Sequence, residues 1–199
     1  MFASGSAVIA GKYLGEDNPN SACDIFSKTV VVILFAMILL SIISYFSPEY
    51  ISFLLGARNE TLAMCVEYLK NIAWFYPIFG FAVLMSYFLR IDGRPIYAFC
   101  GLLSTTIANI LLDYIFVARL DLGLKGAALA TGLAFVIGMT VVLPHFLGKY
   151  GSIKFILPHG SWREIPRAAF NGFSEFLTET SAGFIVLVFN WILITNIGS

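Results

Sequence analysis

Long apolar runs alternate with short polar breaks along this chain. A helix needs about 20 predominantly apolar residues to cross a bilayer. Residues 29–46 supply the first such run, and Pro48 closes it. Residues 49–67 mix apolar and charged positions and break at Gly56, which predicts an interfacial amphipathic helix. Residues 71–89 form the second span, with Pro77 as a kink that membrane helices tolerate. Asp92-Gly93 then suits a tight turn, and Pro95 suits a first helical position. Residues 95–118 form the third span and residues 126–147 the fourth, joined by a short return at 119–125. A final span is predicted over 168–197. Residues 2–13 are apolar but too short to span, and read as the end of a helix rather than as a signal peptide. After them Asn18-Pro19 breaks the chain, and Ser21 or Asp24 is placed to cap the next helix.

These runs predict an all-α, polytopic helical membrane protein. The long polar connection over 148–167 is the best domain boundary, with residues 1–147 before it and the last span, within 168–199, after it. Composition agrees. The chain is 59% hydrophobic and 12% charged, against about 25% charged in soluble domains, and its mean hydropathy is +0.86. No strand-period alternation of the outer-membrane barrel kind is present. Zero net charge and the lack of a basic cluster exclude a nucleic-acid partner. Cys23, Cys65 and Cys100 lack metal-ligand spacing, so no transition-metal site is expected. No dense set of His, Asp or metal ligands gathers at one interface, so the chain is not expected to be an enzyme. Basic residues orient it in the cell membrane. Lys12, Lys28, Arg90, Arg94, Lys149, Lys154, Arg163 and Arg167 fall on one side, and Arg58, Lys70, Arg119 and Lys125 on the other. The first group marks the cytoplasm. Lipid is the surrounding partner.

Within the third span stands one acid, Asp113. A carboxylate at membrane depth costs at least ~2.5 kcal/mol and marks a functional site by default. Asn109 lies one helical turn before it, and Thr106 one turn before that, all on one face. If the hairpin turns at Leu122, Asp113 and Thr131 lie at equal sequence distance from the turn, at nearly the same depth. Asn109, Asp113 and Thr131 can then converge as oxygen ligands for a cation. The structural alternative is plain interhelical hydrogen bonding, at about 0.6 kcal/mol per bond, and Thr131 could equally bond its own backbone. Glu175 and Glu179 form a second candidate, one turn apart on the last span. As unpaired carboxylates they would repel, leaving one protonated near neutrality. Glu179, nearer midplane, is the better candidate for that neutral form. Alternatively, one glutamate bonds the helices before the polar connection and fixes the interface with them.

The runs TIANILLDYIFV (106–117) and LGLKGAALATGLA (122–134) resemble the fifth and sixth helices of the multidrug and toxic compound extrusion (MATE) family. FLRIDGRP (88–95) and NGFSEFLTETS (171–181) are similar to its bacterial members. The resemblance covers essentially the whole chain. It implies two six-helix lobes that open alternately to either side, with 1–147 as part of the amino-terminal lobe, 148–167 as the linker between lobes and 168–199 as the first helix of the second. It also implies efflux of small-molecule drugs driven by entry of Na⁺ or H⁺, with no other cofactor. By position, Asn109, Asp113 and Thr131 match the family's amino-lobe cation site, and Glu179 or Glu175 its carboxy-lobe acid. One departure matters. The family has twelve helices, and this chain corresponds to a fragment from the end of the second to the seventh. The helix that supplies a further amino-lobe acid in many members is not in it. The leading expectation is therefore a multidrug antiporter fragment exporting cationic or amphipathic compounds. A lipid-linked sugar flippase of the same superfamily, or a non-functional remnant, are the alternatives. Acidic rather than basic intramembrane charges favour cationic cargo.

Overall fold

The structure is a computed structural model that describes residues 1–148 and 151–197, apart from the side chains of Glu60 and of residues 193–197. Every regular element among the described residues is helical. In order they are α1 (Phe2–Gly15), α2 (Pro19–Phe46), α3 (Pro48–Leu54), α4 (Asn59–Ile72), a 3₁₀ turn (Ala73–Phe75), α5 (Tyr76–Ile91), α6 (Pro95–Asp113), a π-helical segment (Tyr114–Arg119), α7 (Gly123–Leu147), α8 (Glu164–Asn171) and α9 (Phe173–Ile197). Four stretches are long and apolar enough to span a membrane: Pro19–Phe46, Thr61–Ile91, Pro95–Arg119 and Gly123–Leu147. A fifth arises if α8 and the described part of α9, bent by 49°, are one broken span.

Local chemistry explains the breaks. Asn18, not Ser21 or Asp24, caps α2: its side chain accepts the Ser21 N–H at 3.2 Å. Pro19 follows in the first turn, where a missing N–H costs nothing. At Gly56 the chain takes φ +101°, which ends the interfacial turn after α3. The interfacial reading stops there, because residues from Thr61 onward belong to the second span. Glu67, Lys70 and Asn71 had masked that continuity: they are polar, yet the 3₁₀ turn carries the helix axis on into α5. Pro77 sits in the first turn of α5, next to that joint, rather than kinking a helix interior.

The core gathers at the end assigned to the cytoplasm. Phe26 of α2 is fully buried. Its ring packs against Phe88 of α5, Phe146 of α7 and Phe155 of the polar connection, with centroids 4.8, 5.0 and 4.9 Å away. The connection over 151–163 is therefore not a free linker, since Ile153 is also fully buried. Side chains along one face of α2 hold its backbone. Cys23 donates to the Ser152 carbonyl at 3.3 Å and accepts the Lys154 N–H at 3.2 Å. Ser27 accepts the Ile156 N–H at 3.0 Å, and Asp24 accepts the His159 N–H at 2.8 Å. Lys28 pairs with Asp24 and donates to the Ser161 carbonyl at 2.9 Å. Lys28 is only 1% exposed, so it is an interior ion-pair partner and not one of the loop charges that set orientation. Lys149 lies outside the described residues.

Helix bounds also move at the final span. The helix begins at Glu164 rather than Ala168, and breaks at Gly172. Close packing explains the break. A Cβ on Gly5 of α1 would overlap the Ala168 carbonyl oxygen, and one on Gly172 would overlap that of Met1. Tyr13 also donates to Glu164. Thus α8 lies flush on α1, and α9 leaves it at an angle.

Candidate functional site

The seam between α6 and α7 places the candidate cation site. It is built from small residues, as close membrane-helix pairs are. A Cβ on Gly101 would come within 2.5 Å of Val142 Cγ1, and one on Gly138 would overlap Thr105 Oγ1. A Cβ on Gly126 would lie 3.0 Å from the Phe116 carbonyl oxygen. Between those levels Asn109 donates through Nδ2 to Thr131 Oγ1 at 3.4 Å. Both residues are half-buried, as is Asp113.

This register corrects the depth argument. Asn109, not Asp113, stands opposite Thr131. Asp113 lies between the Asn109–Thr131 level and the Phe116–Gly126 level, about one turn nearer the return. The reason is the π-helical segment that starts immediately after Asp113, where the Leu120 N–H bonds back to Ile115 at 2.9 Å. The wider turn takes up residues without the α-helical rise, so equal counts from Leu122 no longer mean equal depth. Asp113 has no hydrogen-bond or ion-pair partner among the described residues. Asn109 Oδ1 and the Asp113 carboxylate are thus two oxygens one turn apart, with the Thr131 hydroxyl across the seam. Thr106 does not join them: it is exposed and donates to its own backbone at Leu102, 3.0 Å away.

Glu175 and Glu179 separate clearly. Glu175 is half-buried and accepts a hydrogen bond from Tyr87 of α5. It is not the unpaired carboxylate expected from spacing. Glu179 is exposed. A further pair was not singled out from sequence. Asp92, in the α5–α6 turn, contacts His145 Nε2 of α7 at 2.7 Å, and each side chain is 2% exposed. Asp92 also accepts the Ser152 N–H at 3.0 and 3.2 Å. Its placement beside Gly93 signalled a turn, while the distance in sequence hid its partners. His145 is an interior residue.

A cavity of about 780 Å³ lies elsewhere, toward the opposite end of the lobe. Ser52, Arg58, Thr61, Cys65, Tyr68 and Asn190 supply its polar lining, and none of the three seam residues is part of it.

Comparison with known proteins places this architecture. The MatE family model matches residues 1–115. The multidrug export protein MepA of Staphylococcus saprophyticus is 30% identical over 195 residues, and the alignment covers 97% of this chain and 43% of that protein. MepA of Staphylococcus aureus strain MSSA476 is 28% identical over 199 residues, with the same coverage. The chain thus spans less than half the length of these relatives. Among solved structures, an inward-facing MATE family transporter of the MOP superfamily superposes with a TM-score of 0.90 at 21% identity, covering 98% of this chain and 45% of that one. The MATE multidrug transporter DinF-BH gives 0.89 at 25% identity, covering 98% and 44%. With more than half of its residues matched by the family model, this chain belongs to the MatE family.

Proposed function

We propose that the whole transporter carrying this sequence exports cationic or amphipathic compounds by alternating access, in exchange for Na⁺ or H⁺ taken up at Asp113. One observation carries the reading: a half-buried carboxylate with no partner among the described residues, beside the Asn109–Thr131 bond. An ionisable group in a membrane span is costly unless it pairs or takes a cation. Asn109 and Thr131 offer neutral oxygens, which suit a hard cation, and the carboxylate alone suits a proton. Binding neutralises the charge and lets the seam repack, which biases the lobe toward one of two states. The relatives named as multidrug export proteins support the cargo class.

The test is transport of ethidium by the whole protein in vesicles, under separately imposed Na⁺ and pH gradients. One of the two gradients is expected to drive accumulation. Ethidium movement that ignores both would overturn the coupling.

Glu175 and Glu179 have distinct expected roles. Glu175 ties α9 to Tyr87. Glu179 is the acid left to meet cargo or a proton. Glu179→Gln is expected to weaken cationic-drug binding and flatten its pH dependence. Glu175→Gln keeps an acceptor for Tyr87 and is expected to change binding less. Equal, unaltered pH profiles for the two variants would remove cargo binding from this helix.

A further inference from the structure

The polar connection and α8 are built into the amino-terminal lobe. Five backbone groups of residues 152–161 are held by Cys23, Asp24, Ser27 and Lys28 of α2: the Ser152 and Ser161 carbonyls and the Lys154, Ile156 and His159 N–H groups. Asp92 holds a sixth group, the Ser152 N–H, from the α5–α6 turn. Ile153 and Phe155 fill the same core as Phe26. Beyond residue 163, α8 is clamped to α1 by the Gly5–Ala168 contact and by Tyr13 on Glu164, with Ala168 fully buried. The described residues up to Asn171 thus share one packed body.

At Gly172 this changes. The helix bends by 49°, and from Phe176 to Asn190 every residue of α9 is exposed. Beyond α8 itself, Glu175 joins the start of α9 to Tyr87 of α5 and to Ser4 of α1. Each such hydrogen bond contributes about 1 kcal/mol net, whereas the connection and α8 carry six backbone bonds and a share of the core.

We propose that Gly172 is the pivot of the transport cycle: residues 151–171 ride with the amino-terminal lobe, and α9 swings about Gly172 against them, with Tyr87–Glu175 as the contact that breaks and reforms. This rests on the alternating-access reading above. The boundary between lobes then falls inside the last span and not in the polar connection. Hinges are a few element-terminal residues that absorb the backbone change while packed bodies move rigidly, and Gly172 is a residue without a side chain at such a terminus.

Spin-label distances test the pivot without requiring any particular cargo or coupling ion. In the whole transporter, with native cysteines replaced, one label pair joins Thr106 on α6 to Leu157 in the connection. A second joins Thr106 to Thr180 on α9. All three positions are exposed. When pH, Na⁺ or ethidium is changed, the first distance is expected to stay constant and the second distribution to shift. A cross-linking pair supplies an independent readout. Ser27→Cys with Ile156→Cys, joined by a short bifunctional reagent, is expected to leave ethidium efflux within about twofold of the parent, because that contact does not move. Tyr87→Cys with Glu175→Cys, joined in the same way, is expected to reduce efflux more than about tenfold until the link is cleaved. A shift in the Thr106–Leu157 distance, or arrest by the Ser27–Ile156 link, would overturn the pivot. Absence of ethidium efflux in the unlinked parent, with the distance pattern intact, would instead remove the drug-export reading and leave the pivot standing.

Discussion

Replacing Asp113 by Asn is expected to abolish cation-driven efflux by the whole transporter, with membrane insertion unchanged. The amide keeps the size and hydrogen-bonding capacity of the carboxylate but removes its charge and its titration. Two unit charges 4 Å apart at an effective dielectric constant of about 20 attract by about 4 kcal/mol. Losing that attraction lowers cation affinity roughly a thousandfold. A carboxylate kept only to satisfy neighbours would tolerate the change, but Asp113 has no such neighbour among the described residues. Drug resistance and vesicle transport, compared at matched protein in the membrane fraction, provide the measurement. Thr106→Ala is the control, since Thr106 is exposed and bonds its own helix. Parental resistance in the Asp113→Asn variant would take the coupling role away from this residue.

The second large effect is expected at Gly138. A side chain there meets Thr105 Oγ1 and, at 2.9 Å, the Gly101 carbonyl oxygen. The hydroxyl can rotate, but the backbone cannot move without opening the seam. Overpacking costs typically about 1–3 kcal/mol. Gly138→Ala is expected near the lower end of that range and Gly138→Val at or above the upper end. The readout is thermal unfolding in detergent, followed by tryptophan fluorescence. Thr105→Ala should recover part of the loss in the alanine variant, because it removes the nearest obstructing atom. Gly183→Ala on α9 serves as the comparison: among the described residues nothing lies within 4 Å of a Cβ there. Helix propensity alone predicts that change to be neutral or stabilising by up to about 1 kcal/mol. If Gly138→Val melted with the parent, close approach along this seam would not hold the hairpin together.

Hydrophobic runs located the spans because a membrane leaves few other ways to satisfy a backbone. The start of the second span was misplaced for the converse reason. Glu67, Lys70 and Asn71 are polar in composition, and composition is all that a hydropathy profile reads. In the candidate site, helical spacing correctly put Asn109 and Asp113 one turn apart. It could not foresee the π-helical segment, which has no periodic signature, so the register against Thr131 slipped by about one turn. Asp24, Lys28, Asp92 and His145 illustrate a different limit. Asp24 and Lys28 show the spacing of a helical ion pair, but their bonds to the connection join residues more than a hundred positions apart. Side chains that bind irregular backbone leave no repeating pattern to detect. The same holds for Glu175, whose partner Tyr87 lies 88 positions earlier.

The docked connection also bears on how the chain is made. The α6–α7 hairpin closes through neighbours in sequence and can form as soon as both helices have left the ribosome. By contrast, Cys23, Asp24 and Ser27 bond residues 129 to 135 positions downstream. Contacts of such long range form late, since loop closure must come first. Until residue 161 has been synthesised, the end of α2 that carries Asp24 and Lys28 lacks its cover. Biogenesis of this lobe is thus completed by a segment that crosses no membrane: insertion of α7 brings the helices together, and arrival of the irregular run behind it seals them.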